Sequence, residues 1–118
     1  MRENIIQQKT YDFALKIIRL YISMKKDNEF VLSNQLVRAG TSIGANVEEA
    51  EAGQTKKDFI AKMAVASKEA RETNYWLRLF RDSGLVEASQ VSGLIDESRE
   101  IIRILTSIVK TSQSKGNV

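Results

Sequence analysis

The chain has 118 residues, of which 42% are hydrophobic and 28% charged, and a net charge of +3. That describes a single soluble domain, 1–118, able to bury a core without covalent staples. It holds neither cysteine nor histidine, which excludes disulfides, a thiolate nucleophile, a Ser-His-Asp device and a typical zinc site. Asp, Glu and Lys remain for acid–base work or a hard cation, and no enzyme activity, metal or cofactor is expected. The opening MRENIIQQK is too polar for a signal peptide, and no apolar run reaches the roughly 20 residues of a membrane span. A cytoplasmic location is expected.

Proline is absent, so nothing breaks a helix from within. The first predicted helix runs from about Lys9 to Lys26, with Phe13, Ala14, Ile17, Ile18, Tyr21 and Met24 facing the core. Lys25 and Lys26 suit its negative end, and Asp27-Asn28 stops it. The second helix occupies the stretch LSNQLVRAGTSIGANVEEAEAG, with Leu32 just outside, Ser33 as N-cap and Gly53 as C-cap. Its apolar stripe is Leu32, Leu36, Ala39, Ile43, Val47 and Ala50. Thr55 is the candidate N-cap of a third helix, about Lys56 to Asp82, whose inward face is Phe59, Met63, Ala66, Ala70, Thr73, Leu77 and Phe80. Ser83-Gly84 closes it. A fourth helix from about Ala88 to Thr111 turns Val91, Leu94, Ile95, Ser98, Ile101, Ile102, Leu105, Ile108 and Val109 inward, and the tail 112–118 reads as disordered. Short connections make this an all-α, antiparallel up-down-up-down four-helix bundle.

Three features exceed what a bundle core requires. Along one flank of the second helix, Gln35, Arg38, Ser42, Asn46 and Glu49 form a mixed polar stripe. Arg38 has two candidate partners, Glu49 of a neighbouring subunit or an acid on an adjacent helix. Ser42 and Asn46 are candidates for bonds across a close helix contact, eased by Ala39, Gly40, Gly44 and Ala45. Such a stripe fixes register within or between subunits; the same Arg38, Asn46 and Glu49 are also what a ligand pocket would use.

The third helix carries the second feature. Residues 55–84 hold seven Lys/Arg against four Asp/Glu, and Lys57, Lys68, Arg71 and Arg78 share a quarter-turn arc with Tyr75. That arc could follow a phosphate backbone, of RNA or DNA, while Tyr75 stacks on a base. A solvated outer face is the plainer reading, and Asp82 lies in the same arc. Third, Val65, Trp76 and Leu79 on one side of the third helix, Ile60 on the other, and Leu15, Leu20 and Ile22 on the first helix are surplus apolar surface. Surplus of this kind marks self-association, with Trp76 as an anchor of the interface or, equally, as the cover of a seam between helices within one subunit. The three clustered carboxylates Glu48, Glu49 and Glu51 lack the Glu-x-x-His pattern of a di-metal site, and GTSIG lacks the lysine of a phosphate-binding loop.

The run QLVRAGTSIGANVEEA followed by GQTKKDFIAKMAVASKEARETNYWLRL resembles the four-helix-bundle protein family related to proteins encoded in intervening sequences of bacterial large-subunit ribosomal RNA genes. A further relative is the accessory protein of diversity-generating retroelements. Arg38, Ser42-Ile43, Asn46 and Glu49 carry the resemblance, which spans nearly the whole chain. It implies a small bundle assembled as a barrel-shaped homopentamer, with no assigned activity in most members. For the retroelement relatives, more basic than this chain, it implies nucleic-acid binding.

Overall fold

The chain reverses three times, and each reversal has a local chemical cause. A computed structural model describes residues 3–116, with side chains described for 5–114. It consists of α1 (Glu3–Lys26), α2 (Val31–Glu51), α3 (Lys56–Asp82) and α4 (Ala88–Gly116). After α1, Asn28 adopts φ of 65°, a left-handed conformation that asparagine tolerates better than most side chains. Asn28 N–H then reaches the Lys25 carbonyl at 3.0 Å and Glu29 N–H the Met24 carbonyl at 3.2 Å, the paired bonds of a Schellman turn. Thr55 Oγ1 accepts from Asp58 N–H at 3.0 Å and starts α3. Gly84, at φ of 79°, ends it.

The start of α2 differs from expectation. Phe30 occupies the N-cap and offers no side-chain acceptor. The Glu29 carboxylate takes that role instead, accepting from Leu32 N–H at 3.3 Å and Ser33 N–H at 2.8 Å, where its charge also opposes the positive helix end. Ser33 therefore lies inside the helix, buried, and returns its hydroxyl to the Glu29 carbonyl at 2.8 Å. At the other end the C-cap is Ala52, and Gly53 follows it.

Two helices run longer than their periodicity indicated. α1 begins at Glu3, not Lys9, because Ile6 is buried one turn before Thr10, whose hydroxyl bonds the Ile6 carbonyl at 2.8 Å. α4 continues to Gly116 through polar residues that were expected to be disordered. With no proline or glycine between 94 and 115, nothing halts propagation, and half-buried Val109 and Ser112 keep that end against the bundle. Residues 117 and 118 lie outside the described residues.

Each helix packs on its two neighbours in the order α1–α2–α3–α4, closing at α1–α4, in a body of 51 × 24 × 21 Å. Phe13, Ile17, Leu36, Ile43, Met63, Leu77, Phe80, Ile95, Ile101 and Leu105 fill the centre. On α1 the inward line is Ile6, Thr10, Phe13, Ile17, Leu20 and Met24. Leu20, assigned to the surplus, is core; Ile18, assigned to the core, is 37% exposed. Leu32 likewise leaves the α2 core stripe, at 40% exposed. The error on α1 is one of phase. Apolar residues surround this helix so widely that periodicity alone does not say which stripe faces inward.

The α1–α2 seam depends on glycine. A Cβ on Gly40 would stand 2.8 Å from Cγ2 of the fully buried Ile17, and one on Gly44 would stand 3.4 Å from the Thr10 carbonyl oxygen. The seam thus closes to a distance that only Gly40 permits. Gly40→Ala is expected to destabilise the fold by about 1–3 kcal/mol through overpacking, read as a lower urea midpoint. Pairing it with Ile17→Val is expected to restore part of that loss.

Candidate functional site

The polar stripe of α2 is turned toward α3 of the same chain. Arg38 spans two carboxylates, Glu69 at 3.4 Å and Glu72 in a closer pair. Glu72 also accepts from the Trp76 indole N–H at 3.1 Å. Trp76 in turn stands edge-on to Tyr75, with ring centroids 5.6 Å apart, and 6.3 Å from Phe80. Glu49 pairs with Lys62 of α3 at 2.7 Å. Ser42 and Asn46 bond within their own helix, Ser42 Oγ donating to the Ala39 carbonyl at 2.9 Å and Asn46 Nδ2 to the Ser42 carbonyl at 2.8 Å. Gln35 is exposed and takes part in none of these bonds. Within the chain, Arg38 pairs with acids of the adjacent helix α3. Glu69 and Glu72 were legible as acids of α3, but only the α2–α3 register brings them to Arg38.

Electrostatics follow from this geometry. The hydrogen bond to Glu72 raises the Arg38 guanidinium above its ordinary value. The Trp76 N–H, and next Arg38, hold the Glu72 carboxyl below its ordinary value of 4.5. Both groups are already charged at neutral pH, so the cluster is a clamp between helices with no proton to exchange there.

Along α3–α4 the basic arc is joined by residues that the third helix alone did not reveal. Lys57, Lys68, Arg71, Tyr75 and Arg78 are all exposed, as expected of one face. Arg71 Nη2 donates to Thr106 Oγ1 on α4 at 3.1 Å. Arg78 Nε donates to Asn74 Oδ1 at 2.8 Å. Asn74, itself 8% exposed, donates to the buried Ser98 Oγ at 2.9 Å, and Ser98 donates to the Ile95 carbonyl at 2.7 Å. Arg71 also lines an open cleft of about 430 Å³ with Ile102, Arg103, Thr106, Ser107, Lys110 and Thr111. No carboxylate is among those lining residues.

α1 presents the third surface. Opposite its core line stand Tyr11, Leu15, Ile18 and Ile22, exposed by 56%, 37%, 37% and 49%. Val65 and Leu79 on α3 are exposed by 42% and 40%, whereas Ile60 and Trp76 are half-buried. Where α1 meets α4, a second open cleft of about 680 Å³ lies over Leu20 and Leu94. Among the described residues there is no cluster of acids arranged to hold a metal ion, and no helix is long and apolar enough to cross a membrane.

The clamp predicts a pH dependence. A carboxyl whose value is lowered by folding adds stability that is complete above 4.5 and is lost as pH falls through the lowered value. Glu72→Gln is therefore expected to cost at most about 1 kcal/mol at pH 7, since the pair is partly solvated. In urea titrations the gap between variant and parent is expected to close as pH falls from 4.5 through the lowered value.

A family model described as 23S rRNA-intervening sequence protein matches residues 2–107. A crystal structure of a protein of unknown function from the S23 ribosomal protein family of Bacteroides thetaiotaomicron is similar to this chain with a TM-score of 0.87 and 42% identity. That alignment covers 93% of this chain and 99% of the other. No curated protein matches the sequence. The match takes in the α2 stripe, the basic arc and most of α4, so the chain belongs to the 23S rRNA-intervening sequence protein family.

Proposed function

We propose that this protein works as a non-catalytic, self-assembling bundle, a scaffold or interaction module built from copies of one chain. The observation that carries this reading is the second apolar stripe of α1. Tyr11, Leu15, Ile18 and Ile22 are spaced by four, three and four residues and lie on the side of α1 away from the core. That rhythm is the seam of a helix that packs knobs-into-holes on another helix. Among the described residues no helix covers it, since all four side chains stay exposed while α1 packs on α2 and α4. An exposed apolar row of this length is costly in water and is usually covered by an interface.

Gln8 and Lys25 extend the same line at its two ends, giving the stripe a polar border of the kind that rims interfaces. The resemblance to barrel-forming relatives implies five copies. Val65 and Leu79 offer a second exposed apolar surface on α3. Two different apolar faces on one subunit favour a head-to-tail contact, which closes into a ring, over a two-fold dimer.

Light scattering on purified protein is expected to give the mass of several 13.3 kDa subunits, five in the preferred reading. The double variant Leu15→Glu/Ile18→Glu places two charges on the stripe at exposed helix positions where glutamate is well tolerated. It is expected to run as a 13.3 kDa monomer with unchanged helicity. A parent protein that is monomeric at every concentration tested would remove the reading.

A further inference from the structure

We infer that the groove between α3 and α4 is a binding site for the phosphodiester backbone of a nucleic acid, with Arg71, Arg78, Arg103 and Lys110 as its contacts. This is separate from the assembly reading and rests on how the arginines are held.

Two kinds of arginine occur in this molecule. Arg38 is neutralised by two carboxylates, and Arg81 is bonded to Asp82 at 2.7 Å. Arg71 and Arg78 are instead oriented by neutral acceptors, a threonine hydroxyl at 3.1 Å and an asparagine amide oxygen at 2.8 Å. A neutral acceptor fixes the direction of a guanidinium without cancelling its charge. Arg78 gains further rigidity because Asn74 is itself anchored by buried Ser98. Such pre-orientation removes part of the ordering cost that a flexible side chain meets on binding.

The charges of α4 are sorted in the same sense. Its acids Glu97 and Glu100 lie toward α1, bonded to Lys16 at 2.6 Å and Lys9 at 2.7 Å. Arg99, Arg103 and Lys110 follow one line on the α3 side, spanning eleven residues, or roughly 16 Å of helix. Arg103 and Lys110 have no carboxylate within ion-pair distance among the described residues. Arg103 acts on Glu100 only at longer range. The acids nearest the groove lie toward the Arg78 end: Asp82, bonded to Arg81 and acted on by Arg78 at longer range, and Asp96, 3.7 Å from Arg99.

This pattern fits phosphate better than other anions. Guanidinium forks, an ammonium and the hydroxyls of Thr106, Ser107 and Thr111 supply the donors that phosphate oxygens accept. An extended row of cations matches a chain of phosphates, not a single buried anion. Membrane attachment is disfavoured because Ile102, the sole aliphatic side chain lining the cleft, is half-buried and has nothing to insert. Tyr75, 49% exposed between Arg71 and Arg78 on α3, is available to stack on a base.

The test is fluorescence anisotropy of the full chain with a labelled 20-nucleotide RNA, titrated from 50 to 200 mM salt. Arg103→Gln/Lys110→Gln removes two exposed charges that hold no internal bond. It is expected to weaken binding about tenfold or more at the low-salt end and to reduce the slope of log affinity against log salt by about two. Arg19→Gln/Lys26→Gln, with the same change of net charge on α1 but off both the apolar stripe and the groove, is the control and is expected to bind as the parent does. Circular dichroism verifies that both variants keep their helicity. Equal weakening by the two double variants would overturn the site, because binding would then follow net charge alone. Absence of RNA binding by the parent at 50 mM salt would overturn it as well, including where inorganic phosphate occupies the cleft.

Discussion

A helix in a four-helix bundle can bury only one stripe, and the rest of its surface has to be reconciled with water or with something else. In this protein that limit is sharpened by the α1–α2 seam, where Gly40 lets Ile17 approach closely and fixes which stripe of α1 turns inward. Once Ile6, Phe13, Ile17, Leu20 and Met24 are committed to the core, Tyr11, Leu15, Ile18 and Ile22 have to face outward. The apolar excess of α1 is thus a consequence of the seam and not a loosely packed region. A helix with two apolar faces is stable in isolation only at the expense of one of them, which is the physical root of the self-assembly proposed above.

Polar residues obey a parallel division. Where two helices need registering, charge is cancelled: Arg38 against Glu69 and Glu72, Glu49 against Lys62, Lys9 and Lys16 against Glu100 and Glu97. These pairs lie on the α2–α3 and α1–α4 seams. The α3–α4 seam is registered differently, by the neutral Asn74–Ser98 bond in its interior. Neutral registration leaves the cations above it uncompensated. A small change in chemistry at one seam therefore decides whether the surface outside it is electrically quiet or attractive to anions.

The fold was legible in the sequence to the extent that it depends on period and punctuation. Four helices, Thr55 as a cap and the turn at Ser83-Gly84 all follow from local residue chemistry. Failures arose where two local signals compete. α1 carries apolar residues on two faces, so its phase was set by the partner helix and not by its own pattern. Ser33 has the chemistry of a cap, but Glu29 reaches the same N–H groups with a full charge. The site was legible only one helix at a time. Arg38, Trp76 and the α3 arc were visible as residues, whereas Glu72, Asn74, Arg103 and Lys110 acquire meaning through contacts between helices.

The two proposed surfaces do not compete for space. α1 is diagonal to α3 in the ring of helices and meets α4 through a seam of its own, so the outer stripe of α1 and the α3–α4 groove occupy different parts of the perimeter. A head-to-tail assembly that covers the α1 stripe and Val65 and Leu79 of α3 would border Tyr75, leave Arg103 and Lys110 open on α4, and repeat them around the object. A single groove with four cations has modest affinity at physiological salt, since each phosphate contact is weakened by screening. Repetition changes this, because once one groove holds a strand its neighbours meet the same strand at high effective concentration. A chain with a net charge of only +3 can therefore act on a polyanion as an assembly while remaining a weak binder as a monomer. Charge sorted onto one seam and apolar surface sorted onto another are two outcomes of the same bundle geometry, and only together would they give a weak site useful strength.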